Sequence, residues 1–374
     1  VIRCLSRAFR RVPVSIPLLA LAFVPAAPAR AQTGCGTSEW LCHASADGAH
    51  PSGAEQELLW LMNRARQDPS VEGAFLAGLD DPLIAEAVKL YAVDLDVLQD
   101  EYDAIAPKPP AAFDRRLYTA ALGHANLMMS TNDDDPACGA PPQPPCQLDR
   151  VAPAGFFFVA SGLRGNSFGF ATSPLVAHAA WSIDWGPFFD PTVPPGMFPG
   201  RVHRNGVLSE PDAFASQGMT NAGIAVVSTE GHPTELGPLV VVADYANANT
   251  AVGDHFDRFL VGTVWEDLDA DGRYDAGEGR AGVTVTPVPG NWFATTSAGG
   301  GFAIPVITPG AIDVFFAGGG VPMHAESVVV GADSVLVDYV VPEPGAFASG
   351  ALALLALYAK RRVSGRSGPA APRS

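Results

Sequence analysis

Twelve consecutive residues, Asp267-Leu268-Asp269-Ala270-Asp271-Gly272-Arg273-Tyr274-Asp275-Ala276-Gly277-Glu278, place acids at positions 1, 3, 5, 9 and 12 and a glycine at position 6. Alternation turns the side-chain oxygens of Asp267, Asp269 and Asp271 toward one point. The glycine permits the sharp turn, Arg273 offers its main-chain carbonyl, Asp275 adds a further carboxylate, and Glu278 closes the loop with two oxygens. Calcium takes about six to eight oxygen ligands and has no use for nitrogen, which is the chemistry that requires so dense a set of acids. Magnesium would accept the same carboxylates but not the irregular geometry. Calcium is therefore the implied cofactor, acting as a staple that neutralises clustered charge on folding. The competing reading is a flexible acidic turn.

The elements that must hold this loop are strands. Val261-Gly262-Thr263-Val264-Trp265 precedes it and Gly282-Val283-Thr284-Val285-Thr286 follows, and both alternate in character. Further short β-branched runs at 302–306, 311–316, 326–330 and 334–341 make the region 258–341 an all-β sandwich. Residues 262–285, with Thr295-Thr296 and Gly301-Phe302, resemble the B-repeat module of bacterial surface adhesins of the Sdr and collagen-adhesin type. That resemblance implies an immunoglobulin-like sandwich serving as a stalk.

Before Gly253 the pattern is different. Ser52 and Glu55 form a capping box ahead of Leu58, Leu61, Met62 and Ala65 at helical spacing, and the helix ends before Asp68-Pro69. Residues 83–105 read as an acidic amphipathic helix or helix pair. Asp114 caps a second strong helix, and Ser173-Pro174 starts a third. Strands are expected at 156–160, 222–228 and 239–245, the last two covered on both faces. Pro-rich segments at 107–110, 141–145 and 191–199 read as extended loops. The expected class is α+β, helices enclosing a small sheet, followed by the second domain.

The order of these elements resembles the CAP superfamily of cysteine-rich secretory, antigen 5 and pathogenesis-related proteins, across 54–250. The matching stretches run from Glu57-Leu58-Leu59 and Asn63-Arg64-Ala65-Arg66, through the helix at 117–129 and Asp149-Arg150-Val151, to Arg164-Gly165-Asn166, where the family has Gly-Glu-Asn. Trp181, His203-Arg204-Asn205 and Gly223-Ile224-Ala225-Val226 complete them. The resemblance implies an α-β-α sandwich and a cleft of two histidines and two carboxylates, which in some members binds a divalent metal such as zinc. Two of those positions stand here, His203 and Asp184. Gly165 replaces the glutamate, and Thr131-Asn132-Asp133-Asp134-Asp135 falls where the first histidine belongs. His124 is expected to pack on the core side of its helix and His178 to lie on a helix surface. Ser161 and Ser209 lack the surroundings of a nucleophile.

The two ends address the chain. Arg3, Arg7, Arg10 and Arg11 precede an apolar run, and Ala29-Arg30-Ala31 has the small-x-small pattern of a signal peptidase site, so 1–31 reads as a signal peptide and 32–53 as a disulfide-bearing segment. At the other end Pro342-Glu343-Pro344, an apolar run and Lys360-Arg361-Arg362 resemble the PEP-CTERM sorting tail of Gram-negative bacteria, covering 342–362 and followed by a basic tail at 363–374. The resemblance implies an exosortase-type processing enzyme as partner and a transient stay of the tail helix in the inner membrane. Residues 345–359 number 15, short of the roughly 17–25 of a comfortable span, although an ordinary anchor helix is the alternative.

Of five cysteines, Cys4 falls in the signal. Cys35, Cys42, Cys138 and Cys146 remain, an even number in an exported chain, and sequence proximity suggests Cys35 with Cys42 and Cys138 with Cys146. Four thiols allow three pairings, and zinc binding by them is the rival reading, without any CxxC to support it. Five of the 23 basic residues precede Gln32 and five follow Ala359, so the body carries 13 against 39 acidic residues. Such a balance repels nucleic acid and anionic lipid. The expectation is an exported cell-surface, outer-membrane-associated or matrix-directed binding protein with a small-molecule, lipid or polysaccharide ligand. A metal-dependent extracellular hydrolase working through His203 and Asp184, and a purely structural component of an exopolysaccharide matrix, are the alternatives.

Overall fold

The computed structural model describes residues 34–139, 145–186, 195–212 and 218–342. The signal and tail expectations, including Glu343 and Pro344, lie outside the described residues, and only Pro342 of the sorting motif lies within them. Among the described residues no helix is long and apolar enough to cross a membrane.

The chain opens with α1 (Gly53–Gln67), started by the expected capping box: the Glu55 amide donates to the Ser52 hydroxyl at 3.4 Å, and the Ser52 amide donates to the Glu55 carboxylate at 2.7 Å. Asp68 then caps α2 (Pro69–Ala77), Asp81 caps α3 (Pro82–Leu90) and Asp94 caps α4 (Leu95–Asp103). Each aspartate accepts a first-turn amide that has no partner inside its own helix. The acidic segment 83–105 is thus a helix pair. β1 (Ala112–Phe113) leads to α5 (Arg115–Thr131), capped by Asp114 and ended by Asn132 in the left-handed region. Then come α6 (Gln147–Val151), the long β2 (Phe158–Ala171), α7 (Pro174–Ala179) continuing as a π-turn over Ala180–Asp184, and the paired β3 (Trp185–Gly186) and β4 (Gly196–Met197). α8 (Val202–Leu208), β5 (Asn221–Ser228) and β6 (Leu239–Ala248) complete this half.

Its sheet runs β1-β5-β6-β2, parallel at β1 and antiparallel elsewhere. Gly223, Asp244 and Gly165 pair across three strands and share one face. That face carries α5 and α6. A Cβ at Gly223 would sit 2.0 Å from the Tyr118 amide nitrogen, so a glycine there lets α5 lie directly on the strand. Their neighbours Tyr245, Arg164 and Asn166 point the other way, toward α1 and α8.

The second half contains β7 (Phe259–Trp265), β8 (Val283–Val288), β9 (Ala294–Thr295), β10 (Gly301–Pro305), β11 (Gly310–Gly318), β12 (His324–Val330), β13 (Val335–Leu336) and β14 (Tyr339–Val340). They form two sheets, β10-β7-β13 with β14 also on β7, and β12-β11-β8-β9. Leu260, Val264, Phe302, Ile304, Val314 and Phe316 are among the residues that fill the core of this half.

The all-β half packs against the first half. Every residue of β7 and β10 is buried, because the face turned from the sandwich core packs on the first half. Phe259, Val261 and Ala303 join Cys35, Trp40, Cys42 and Ala112 in one apolar cluster. Beside it the Gln56 amide donates to the Thr263 hydroxyl at 2.8 Å, and the Trp60 indole donates to Asp338 at 3.1 Å. From Gly34 on, the described chain is one compact mixed α+β unit. Two disulfides tie it locally, Cys35–Cys42 and Cys138–Cys146.

Candidate functional site

The π-turn ends at Asp184, whose φ of 59° is rare for a residue with a side chain. That backbone aims its carboxylate at the start of α8. Oδ2 accepts the amides of His203 at 2.9 Å and Arg204 at 3.3 Å, and Oδ1 meets the His203 ring at Nδ1, 2.7 Å away. The Asp184 side chain is buried, whereas that of His203 is 41 % exposed. Asp184 thus caps α8 from another element, and with Nδ1 engaged only Nε2 of His203 remains for a ligand.

Around His203 lies a cleft of about 540 Å³ that straddles the edge strand β2 between α6 and α8. Gln147 borders it on one side, Phe198 and His203 on the other, and Leu163, Gly165 and Asn166 run along its base. The Asn166 amide donates to the His203 carbonyl at 3.0 Å, and Arg164 is paired with Asp212. Arg204 reaches inward to the Ser182 carbonyl at 2.7 Å and to Glu101 at 2.5 Å. Arg66 of α1 donates to the carbonyls of Val207 and Met219, each at 2.7 Å, which seats α8 on the core.

The structure therefore joins Asp184 with His203, and among the described residues the cleft holds fewer free ligand atoms than a metal takes. Both Asp184 oxygens are engaged, Gly165 offers none, and Asp133, Asp134 and Asp135 form an exposed turn in which Asp133 accepts the Asp135 amide at 3.1 Å. A catalytic zinc site takes three protein ligands and a water. One imidazole nitrogen does not make such a set.

Two histidines differ in burial from one another. His178, expected on a helix surface, is wholly buried and lies 2.8 Å from Glu72, which also holds Arg64 at 2.7 Å. The difference has a simple cause: Glu72 of α2 reaches His178 and supplies a carboxylate 106 residues away. Burial would raise the Glu72 carboxyl, but His178 and Arg64 hold it below its ordinary value. His124 is partly buried on α5 as expected, with burial and then Arg150 lowering it to about 4. The buried Ser209 hydroxyl accepts the Met219 amide at 2.6 Å.

In the acidic loop, carboxylate oxygens of Asp267, Asp269 and Asp271 all lie within 4.8 Å of one another. Local bonds set this up. Asp267 accepts the Gly272 amide at 3.1 Å and Asp269 the Asp271 amide at 3.2 Å, with Ala270 and Gly272 both at positive φ. Among the described residues Asp267 Oδ1 is buried and has no hydrogen-bond partner, an acceptor that a cation would satisfy. Asp271 also pairs with the Arg273 guanidinium, which an arriving cation must displace.

Glu278 stands apart from the trio. It is buried, and its two oxygens accept the amides of Leu268 at 2.7 Å and Asp275 at 2.9 Å, so it braces the loop from behind. Burial and acidic neighbours raise Asp275. The loop is fastened to α1 by the Ala276 amide, which donates to Glu57 at 3.1 Å, and to the turn before β10 by the Tyr274 hydroxyl, which donates to the Gly299 carbonyl at 2.8 Å. Burial, reinforced by Asp275 and Glu278, pushes Glu57 up to about 7. No protein-family model and no curated protein matches the chain.

The residues that sequence reasoning missed are buried Asp244 and Glu57 and partly buried Asp338, carboxyls raised chiefly by desolvation, to about 6, about 7 and about 6. Asp244 interrupts an apolar strand run, which was the one signal available.

Proposed function

We propose that this is an exported binding protein, CAP-like over 54–250 and B-repeat-like over 258–341, whose cleft at His203 receives a ligand and whose Asp267, Asp269 and Asp271 hold calcium. The observation that carries it is the state of Asp184. Its carboxylate is committed to α8, so among the described residues the cleft keeps a shaped, part-exposed imidazole without a metal's ligand set beside it. The order of helices and strands around that cleft supports the likeness to CAP proteins. Cys35–Cys42 and Cys138–Cys146 support export to an oxidising compartment, where calcium is abundant. The sorting tail and its exosortase-type partner belong to the same reading.

When bound, calcium would neutralise three carboxylates at the end of β7 and stiffen the loop that Glu57 fastens to α1. The residues fit that group on two counts, the convergence of the three aspartates and the partnerless Asp267 oxygen. Because β7 and β10 have no solvent face, the measurement needs the whole folded region, residues 34–342. Calorimetric titration with calcium should give one site, absent in Asp271→Ala. For the cleft, chromogenic ester, amide and glycoside substrates, with and without zinc, should show no turnover. Turnover that His203→Ala removes would replace this reading with a hydrolase.

A further inference from the structure

The base of the cleft is incomplete at Gly165. A Cβ there would lie 2.6 Å from the Gln147 amide nitrogen and 3.1 Å from Asp244 Oδ1. Only the absent side chain and one flexible glutamine separate the cleft from a carboxylate on the central strand. Asp244 pairs with Gly165 across the sheet, is 1 % exposed, and accepts the Gln147 amide at 2.6 Å through Oδ1. Its other oxygen, Oδ2, has no hydrogen-bond partner.

Two neighbours share this unused capacity. Arg150 of α6 lies 3.9 Å from Asp244 Oδ1, yet its Nε donates to nothing. On α5, His124 feels the Arg150 charge, and its buried Nδ1 is unpartnered. A buried acceptor, donor or imidazole nitrogen left without a partner is costly unless something completes it.

Resting on the reading of the cleft as a binding site, we infer that Asp244, reached past Gly165 when Gln147 swings aside, is its recognition carboxylate, and that the ligand is a neutral saccharide. The charges select this class. A cation at Asp244 would meet Arg150, and an anion would meet Asp244 within a strongly acidic body. A hydroxyl both donates and accepts, so one sugar hydroxyl can donate to Asp244 and accept from Arg150. Phe198, packed edge-on 6.0 Å from the His203 ring, offers an apolar surface to the sugar's C–H face.

The test is titration of the 34–342 protein with maltose, cellobiose and lactose, followed by ligand-observed NMR, with a glucuronic-acid disaccharide as the anionic comparison. At least one neutral disaccharide should bind and the acidic one should not. Asp244→Asn should weaken binding about tenfold, as expected for a lost hydrogen bond to a charged group. Gly165→Val, which fills the opening and crowds Gln147 and Asp244 Oδ1, should weaken it as much. A cooperative melt well above the titration temperature keeps both variants interpretable. If His203→Ala and Gly165→Val weaken binding while Asp244→Asn does not, Asp244 is a structural strut and the inference falls, though the cleft stands. If none of the three changes binding, the cleft reading falls with it. Failure of every neutral disaccharide to bind overturns the saccharide assignment.

Discussion

The cleft and the acidic loop both carry carboxylates at motif positions, and they use them in opposite ways. In the cleft, buried Asp184 has both oxygens engaged in holding α8, and the group open to a ligand is the imidazole it orients. In the loop, Asp269 and Asp271 are exposed and stand with Asp267 around a common point, while Glu278 behind them braces the chain. A carboxylate is available to a cation where solvent still shares it. Where several amides converge on a buried one, it belongs to the fold.

The contrast is broken most forcefully at Asp184. Asp184→Ala strips two amides and the His203 ring of their acceptor in a buried place, and should cost about 3–5 kcal/mol in urea unfolding. A cost below about 1 kcal/mol would mean that Asp184 is not the brace described here. Next comes pH. Burial lifts Asp244 to about 6, against an ordinary value of 3.8. The folded state therefore holds a proton that the unfolded chain has released, so this contribution is complete below pH 3.8 and is lost as pH rises through 6. It amounts to about 3 kcal/mol, and Asp244→Asn should flatten stability across that window. A stability profile unchanged by the substitution would remove Asp244 as its source.

Calcium at a hundredfold excess over its Kd should stabilise the protein by about 2.7 kcal/mol, with the effect missing in Asp271→Ala. An Asp184 variant that still folds should retain it, since the two regions use separate acids. The smallest expected effect is at α1, on which both regions lean. Ser52→Ala removes half of its capping box and should cost about 1 kcal/mol, measurable as a lowered melting temperature with calcium binding intact.

Much of the local structure was legible because its causes are local. Ser52, Asp114 and Ser173 start helices through their own hydroxyl or carboxylate a few residues from the amides they cap. The Asp-x-Asp-x-Asp-Gly spacing likewise converges through contacts within the loop. His178 was misread because Glu72 lies 106 residues earlier, and no nearby pattern announces the pairing. β7 read as an ordinary alternating strand, and its residues do alternate. Nothing in its own seven residues says that Gln56 and Trp60 cover the second face.

The amino-acid order alone determined where helices begin, where the chain turns, and which carboxylates repeat at calcium spacing, because each of these is an interaction over a few bonds. Tertiary structure decided which charged groups stay free. Asp184, Asp244 and Glu57 have their roles set by burial and by amides or cations brought in from elsewhere in the fold. Desolvation acts through space, and its size depends on what finally surrounds the group.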